Sequence, residues 1–115
     1  MKRSRRSRLV TQMPCYVYIL QCADGSYYTG NTTDLNRRLW EHQTGADRKA
    51  YTFSRRPVAL VWHEQVTTKD DALRLEHQIK GWRRKKKRAL IEGDFEAIHQ
   101  IVAEERRQRE DRKKR

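Results

Sequence analysis

The sequence predicts an α+β fold, in which helices flank a small three-stranded antiparallel sheet in the order β-β-α-β-α-α. Two short segments rich in β-branched and aromatic residues lie on either side of an Asp-Gly pair, which is a strong signal for a hairpin. Apolar residues recur with helical spacing in three later segments. With 115 residues, the chain is long enough for one domain with a single core of modest size.

The hairpin comes first along the chain. Residues 16–20 (YVYIL) are typical of a buried strand, because β-branched and aromatic side chains pack well on a pleated surface. The pair Asp24-Gly25 favours a tight turn. Residues 26–29 then supply the antiparallel partner strand, which we expect to end at Gly30.

A helix, a loop and a third strand follow the hairpin. Thr33 or Asp34 is a suitable N-cap for the helix, whose apolar face ends before a glycine stop at Gly45. Residues 46–56 have no hydrophobic period and are predicted to form a loop. The third strand is expected over residues 58–66, after a proline.

Two helices complete the predicted fold. In the first, apolar residues recur at helical spacing from Ala72 to Trp82. Six consecutive basic residues follow at positions 83–88. Asp94 can cap the second helix, which has Phe95 on its apolar side. The apolar signal vanishes after Ala103, so the remaining tail is either a solvated helix or disordered.

Charge is concentrated at the two ends of the chain. We divide it into a basic N-terminal arm (residues 1–13), a domain (14–92), and a C-terminal helix with a basic tail (93–115). The formal net charge is +12, and eight of these charges lie in residues 1–8 and 104–115. Such arms attract polyphosphates whatever their sequence, which favours a nucleic acid as partner. No stretch approaches the ~20 apolar residues that a membrane span requires, so we expect no membrane partner.

The cysteines and the N-terminal segment bear on location. Cys15 and Cys22 lie seven residues apart, which is not a zinc-ligand spacing, and two cysteines without a framework suit a reducing cytoplasm. Leu9-Val10 is too short to be the apolar part of a secretory signal. We therefore expect a cytoplasmic protein, although the acid-free start is also compatible with an organellar transit peptide.

Three polar residues lie on or beside predicted apolar helix faces. Glu76 falls between Ala72 and Ile79, where a carboxylate needs a cation, a metal ion or several donors. It is either a site residue or a boundary glutamate paired with Lys or Arg. Arg38 and His42 are four residues apart on the first helix. They are either catalytic or, respectively, a surface charge and a core histidine.

The tyrosines favour the catalytic alternative. Tyr16 and Tyr18 share one strand face, and Tyr28 on the next strand could meet that face. Together with an arginine, a histidine and a carboxylate, they could attack a phosphodiester. A phenolate or imidazole would take a proton from water, the guanidinium would stabilise the transition state, and the carboxylate would hold Mg²⁺. Tyrosines packed in a core remain the alternative.

Several segments resemble, in order and spacing, the GIY-YIG nuclease superfamily over residues 14–92. The paired motif that names the superfamily corresponds to Tyr16-Val17-Tyr18 and, ten residues later, Tyr28-Thr29-Gly30. Residues 32–39 and the following Glu41-His42 resemble its first helix, and residues 73–79 resemble the helix that carries its glutamate. In length the chain is most similar to the small stand-alone proteins of the YhbQ type. The resemblance implies the sheet-and-helix fold predicted above.

The resemblance also implies a site. Its catalytic residues in this sequence are Tyr18, Tyr28, Arg38, His42 and Glu76, with Glu76 the single ligand of one Mg²⁺ or Mn²⁺ ion. Gly30 is the motif glycine, where a side chain would crowd the site. Either tyrosine is a candidate for the base.

The sequence departs from the superfamily pattern at four points. Tyr16 replaces the first-motif glycine, and Thr29 replaces the second-motif isoleucine. Asn31 stands where repair-type members often have a lysine, and no asparagine follows Asn36 to match one that some members have on a later helix. These departures bear on catalytic efficiency and not on the fold.

The implied activity is that of a divalent-metal-dependent endonuclease that nicks DNA with low sequence selectivity, in DNA repair or processing. Branched, damaged or single-stranded DNA are candidate substrates. Phosphate contacts are expected from the arms and from a basic run, namely Arg83, Arg84, Lys85, Lys86, Lys87 and Arg88. Tyr51, Phe53 and Trp82 could stack on unpaired bases or be buried. The alternatives are a catalytically weak or silent module that binds DNA or RNA, and a protein-interaction domain.

Deleting residues 1–8 and 104–115 should weaken DNA binding at low salt and flatten its salt dependence, since fewer counterions are released on binding. Fluorescence anisotropy of a labelled duplex across a salt series measures this slope. A shortened chain that keeps the full slope would indicate that the basic run over residues 83–88 is the contact surface instead.

Overall fold

The computed structural model describes residues 14–114, so the predicted arm over residues 1–13 lies outside the described part. A three-stranded antiparallel sheet contains β1 (Cys15–Gln21), β2 (Tyr27–Thr32) and β3 (Ala59–Val66). The strand order is β2-β1-β3, so the first strand pairs with both others. The predicted α+β class and antiparallel sheet are confirmed.

The helices are α1 (Leu35–Thr44), α2 (Lys69–Lys80), α3 (Arg84–Glu92) and α4 (Phe95–Lys113). The order is therefore β-β-α-β-α-α-α, with one helix more than predicted. A single 3₁₀ turn (Phe53–Arg55) interrupts the predicted loop. Within residues 14–114, no helix is long and apolar enough to cross a membrane. The chain divides into two compact units, with the division between Lys80 and Gly81.

The hairpin forms as predicted, except at its end. The backbone N–H of Cys22 donates to the carbonyl of Ser26 at 2.8 Å, and Gly25 takes a positive φ of 86° in the turn. The expectation that β2 ends at Gly30 is wrong. Gly30 pairs with Tyr18 of β1 and the strand continues to Thr32. Gly30 therefore lies inside the strand. Its missing side chain leaves room for the Tyr18 ring on the neighbouring strand.

Side-chain alternation along β1 divides the core of the first unit. One face carries a cluster of Tyr18, Leu20, Cys22 and Val58, against which Tyr28, Leu35, Leu39 and Leu60 pack. Val17 and Ile19 point to the other face and are fully buried. On α2, Ala72 and Ile79 are fully buried as well. The helical spacing that predicted this apolar face is therefore correct, although the helix ends before Trp82.

The bounds of α1 follow from its two caps. Asp34 has an extended backbone, and its carboxylate accepts the N–H of Arg37 at 3.1 Å. Gly45 adopts a left-handed φ of 73° and returns its N–H to the carbonyl of Glu41. Both residues were predicted for these roles, and they fix where the side chains of the helix point.

The basic run lies in the second unit, where it opens the helix that the sequence did not predict. Lys86 is only 8% exposed. Its Nζ lies 3.2 Å from Oε1 of Glu105 on α4 and 4.6 Å from the centre of the Trp82 ring. Lys86 is therefore not available to contact phosphate, which corrects the prediction for that one residue. Pairing with α4 explains how so basic a segment can be helical.

The last helix is mainly a solvated one. Ile101 is buried, and α4 continues past Ala103 to Lys113, so the tail is helical through that residue. Phe95 was expected on the apolar side but is 64% exposed, because it follows the Asp94 cap directly and lies at the open end of the helix. Deletion of residues 104–115 would also remove Glu105, so deletion of residues 1–8 alone is the cleaner test of charge.

Replacing Asp34 with alanine should destabilise the first unit by about 1 kcal/mol, because the N–H of Arg37 loses its acceptor. In a small domain this corresponds to a fall in Tm of roughly 4–8 °C. Asp34→Asn is the matched control, since it keeps a capping oxygen and should retain most of the stability. Equal losses in both variants, measured by thermal melting, would contradict the capping role.

Candidate active site

A chain of hydrogen bonds joins Tyr18, His42 and Thr52. The Tyr18 hydroxyl lies 3.0 Å from Nε2 of His42, and Nδ1 of His42 lies 2.7 Å from Oγ1 of Thr52. All three residues are buried, with Tyr18 only 1% exposed. β1 and α1 supply the first two, and the segment before the 3₁₀ turn supplies the third. The imidazole is therefore held at both of its nitrogens.

Arg38 lies beside the Tyr18 hydroxyl. Its guanidinium has only donors; it donates to Oε1 of Glu41 at 3.1 Å and is near enough to the Tyr18 oxygen to influence its pKa. In the imidazole tautomer that carries its hydrogen on Nδ1, Nε2 of His42 accepts from the Tyr18 hydroxyl and Nδ1 donates to Oγ1 of Thr52.

Burial shifts the pKa values of Tyr18 and His42 in opposite directions. Burial raises the pKa of Tyr18 to about 12, although the hydrogen bond from Arg38 acts in the opposite direction. Burial also lowers the pKa of His42 below its usual value, and the positive charge of Arg38 adds to this effect. At neutral pH the phenol therefore keeps its proton, and the neutral imidazole beside it is able to accept one.

Tyr28 extends the aromatic part of the site. The centre of its ring lies 6.3 Å from that of Tyr18 and 5.1 Å from that of His42. On its other side Tyr51 stacks at 6.0 Å, and the guanidinium of Arg55 lies 3.8 Å from the centre of the Tyr51 ring. Tyr51 thus already has partners within the chain, as does Phe53, which lies against a guanidinium.

A cavity of about 350 Å³ opens beside these rings. Tyr28, Arg38 and His42 line it, and the remaining lining residues are Glu41, Gly45, Ala46, Asp47, Ala50 and Thr52. The arginine and the imidazole thus face a space that admits a group from solution. Three of the five predicted site residues meet at this cavity.

Gly30 makes room for the central phenol. A Cβ at this position would lie 2.5 Å from the Tyr18 oxygen and 2.7 Å from its ring carbon Cζ. It would also lie 3.1 Å from a ring carbon of Tyr28. The two distances to Tyr18 are shorter than real Cβ contacts, so a side chain here would displace Tyr18, and Tyr28 would have to move by a few tenths of an ångström.

Glu76 comes from α2 and is only 6% exposed. One carboxylate oxygen, Oε1, accepts a hydrogen bond from Nδ2 of Asn31, and the other, Oε2, lies 2.5 Å from Nζ of Lys80. The lysine pairing anticipated for a boundary glutamate is therefore present. Glu76 is also near enough to the tyrosines for its charge to raise the pKa of Tyr18.

The donor set around Glu76 fits magnesium better than a tightly ligated metal. Among the described residues, no three His, Cys, Asp or Glu side chains are grouped so as to hold a metal ion. Mg²⁺ commonly binds one or two carboxylates and keeps several waters, with substrate phosphates completing its shell. Glu76 could hold such an ion, with an amide donor from Asn31 orienting the carboxylate.

A family model described as the GIY-YIG catalytic domain matches residues 14–89. The chain belongs to the GIY-YIG family. It is 48% identical over 88 residues to a UPF0213 protein of Bacillus pumilus, covering 74% of this chain and 89% of that one. It is 51% identical over 77 residues to a UPF0213 protein of Haloquadratum walsbyi, covering 67% of this chain and 85% of that one.

A solved structure agrees with the GIY-YIG assignment. The solution NMR structure of a protein from E. faecalis superposes with a TM-score of 0.50 and is 37% identical, covering 70% of this chain and 84% of that one. The family is a nuclease family whose members act on nucleic acids. The prediction of a small GIY-YIG domain protein is thereby confirmed.

The structure brings four predicted site residues into one cluster, namely Tyr18, Tyr28, Arg38 and His42. Glu76 joins them through Asn31, the residue after the motif glycine. Tyr16 is half-buried near the start of β1 and pairs with Thr32, and no contact with the cluster is seen for it in the described residues. Thr29 is buried with an unpartnered hydroxyl, and we find no role for it in the site.

Sequence reasoning missed Thr52 and did not name Lys80. Lys80 had a detectable signal, since it lies four residues after Glu76 on the same helix, the usual spacing of an ion pair. Thr52 had none, because it lies in a segment without hydrophobic period and reaches the site only through the fold of the loop.

Replacing Gly30 with alanine should destabilise the fold by about 1–3 kcal/mol, because the new methyl group overlaps the Tyr18 phenol. The substitution should cost less in a Tyr18→Phe background, where the overlapping oxygen is absent. Thermal or denaturant unfolding of the two single variants and the double variant measures this coupling. Strictly additive losses would show that Gly30 and Tyr18 do not constrain each other.

Proposed function

We propose that the protein is a divalent-metal-dependent endonuclease that hydrolyses phosphodiester bonds in DNA, nicking one strand with low sequence selectivity. The observation that carries this proposal is the hydrogen bond between Tyr18 and His42, with Arg38 beside it and a buried carboxylate at Glu76. A binding module has no need of a buried phenol that is joined to an imidazole.

The first chemical step requires a base, and we assign this role to Tyr18, with Nε2 of His42 as the acceptor beside it. The attacking water gives a proton to the Tyr18 oxygen while the phenol passes its own proton to Nε2 of His42. The lowered pKa of His42 keeps this imidazole neutral and ready to accept, and Thr52 holds its other nitrogen. Tyr28 packs against both rings and fixes their positions.

The phosphorane-like transition state requires positive charge. Arg38 has five N–H groups and donates to Glu41, so it has donors left for the phosphoryl oxygens that gain charge. The side chain is 46% exposed and lines the cavity, so a backbone phosphate can reach it. A metal ion held at Glu76 would supply charge to the leaving oxygen.

DNA would be held mainly through its phosphates. Lys86 is buried, so the proposed contact surface of the second unit comprises Arg83, Arg84, Lys85, Lys87 and Arg88. Contacts of this kind position a nucleic acid but do not read its sequence. We therefore propose branched, damaged or single-stranded DNA as substrate, and a role in DNA repair or processing in the cytoplasm.

A second candidate function follows from the state of Glu76. Both of its oxygens already have partners in the chain, which would suit a catalytically silent module that binds DNA or RNA. In that case Glu76 contributes only to stability. The two candidates differ in a measurable way, because only a nuclease needs the charge of Glu76 for turnover.

Arg38→Ala and Glu76→Gln should both abolish metal-dependent nicking of supercoiled plasmid while leaving DNA affinity nearly intact. Loss of a transition-state donor at comparable sites costs about 10²–10³ in rate. Arg37→Ala is the matched control, because Arg37 is the neighbouring residue, also pairs with Glu41 and is 72% exposed. The assays use Mg²⁺, Mn²⁺ and EDTA, with binding followed by anisotropy.

Glu76→Gln should also lower the Tm modestly, because the partly exposed ion pair with Lys80 is lost. This result alone does not separate the two candidates; the nicking assay does. Wild-type protein that cleaves no DNA substrate with any divalent ion would overturn the nuclease proposal. Unchanged nicking by Glu76→Gln would remove Glu76 from the site.

A further inference from the structure

The two side chains of the Glu76–Lys80 ion pair differ strongly in their exposure to solvent. The Glu76 side chain is 8% exposed, whereas that of Lys80 is 49% exposed. The carboxylate is thus fixed inside the protein, while the ammonium reaches it from the solvent side. Oε1 is held by Asn31, so Oε2 is the oxygen that faces the half-exposed ammonium.

Lys80 belongs to the same helix as Glu76 and lies one turn after it. Its side chain is half-exposed and reaches the carboxylate from the solvent side. A cation entering from solution toward Oε2 would meet this ammonium first.

We infer that Lys80 is a displaceable internal cation, which neutralises Glu76 in the metal-free protein and competes with the divalent ion for Oε2. This inference rests on the proposed metal role of Glu76. The free carboxylate would be buried and unpaired without the lysine, which is a costly arrangement. A divalent ion from solution must displace the Lys80 ammonium before it can bind Oε2 of Glu76.

The competition has a functional consequence. The affinity of the site for metal is lowered by the strength of the Glu76–Lys80 pair, so the site fills only when the concentration of divalent ion is sufficient. Partly exposed ion pairs are weak, so the reduction is modest. Lys80 is thus a residue that sets the metal requirement, without touching the reacting atoms.

The test is direct binding of Mn²⁺ to the full-length chain, followed by the electron paramagnetic resonance signal of the free ion. Lys80→Met keeps the length of the side chain and removes its charge, and it should bind Mn²⁺ about three- to fivefold more tightly than wild type. Lys69→Met is the matched control. It removes the same charge about three turns away on the same helix, and it should leave the affinity unchanged.

A second measurement uses wild-type protein and so does not depend on the stability of a variant. The side-chain NMR signals of Lys80 should shift as Mg²⁺ is added, because the ammonium leaves the carboxylate. The same signals should not respond to Mg²⁺ in Glu76→Gln, where the pair is already broken.

Three results would overturn the inference. They also show whether the proposed metal role of Glu76 fails with it. Equal or weaker Mn²⁺ binding by Lys80→Met, with binding still abolished by Glu76→Gln, removes the competition but leaves the proposed nuclease site. Lys80 signals that do not respond while Mg²⁺ binds at Glu76 have the same meaning. No binding that depends on Glu76, in wild type or in Lys80→Met, removes both the competition and the proposed metal role.

Discussion

The fit of the Tyr18 phenol over Gly30 is the constraint on which the rest of the site depends. Cross-strand pairing sets these two residues opposite each other, and the absence of a Cβ is what admits the hydroxyl. Once the phenol is seated there, it is buried against α1, and its oxygen is within reach of both Arg38 and His42. The same burial that stabilises the ring raises its pKa, so packing and proton chemistry have one cause.

One further residue of β2, Asn31, connects the Glu76 carboxylate to the tyrosine cluster. Asn31 follows Gly30 and directs its amide to Glu76, so the strand that admits the phenol also orients the proposed metal ligand. The family resemblance had marked Asn31 as a departure, since repair-type members often have a lysine there. A cation is nonetheless present at Glu76, because Lys80 supplies one from the helix that carries the glutamate. The positive charge next to the Glu76 carboxylate therefore comes from the same helix, four residues further along.

Sequence patterns predicted what depends on local chemistry. The Asp-Gly turn and the caps of α1 at Asp34 and Gly45 are all where spacing and residue type indicated. The errors arose where tertiary contacts decide. Gly30 looked like a strand end because its role depends on a ring from another strand. The basic run did not look helical because its charge is offset by Glu104 and Glu105, distant in sequence. Thr52 reaches His42 only through the fold of a loop, so no local pattern could have indicated it.

The division between Lys80 and Gly81 separates the residues of the candidate site from the basic run. Every side chain assigned here to proton transfer, charge stabilisation or metal binding precedes the division, and the basic run follows it. On the proposed function, substitutions in the second unit would alter how strongly a nucleic acid is held and leave the proposed reacting groups unchanged. Binding strength and chemistry could then be varied separately in this chain.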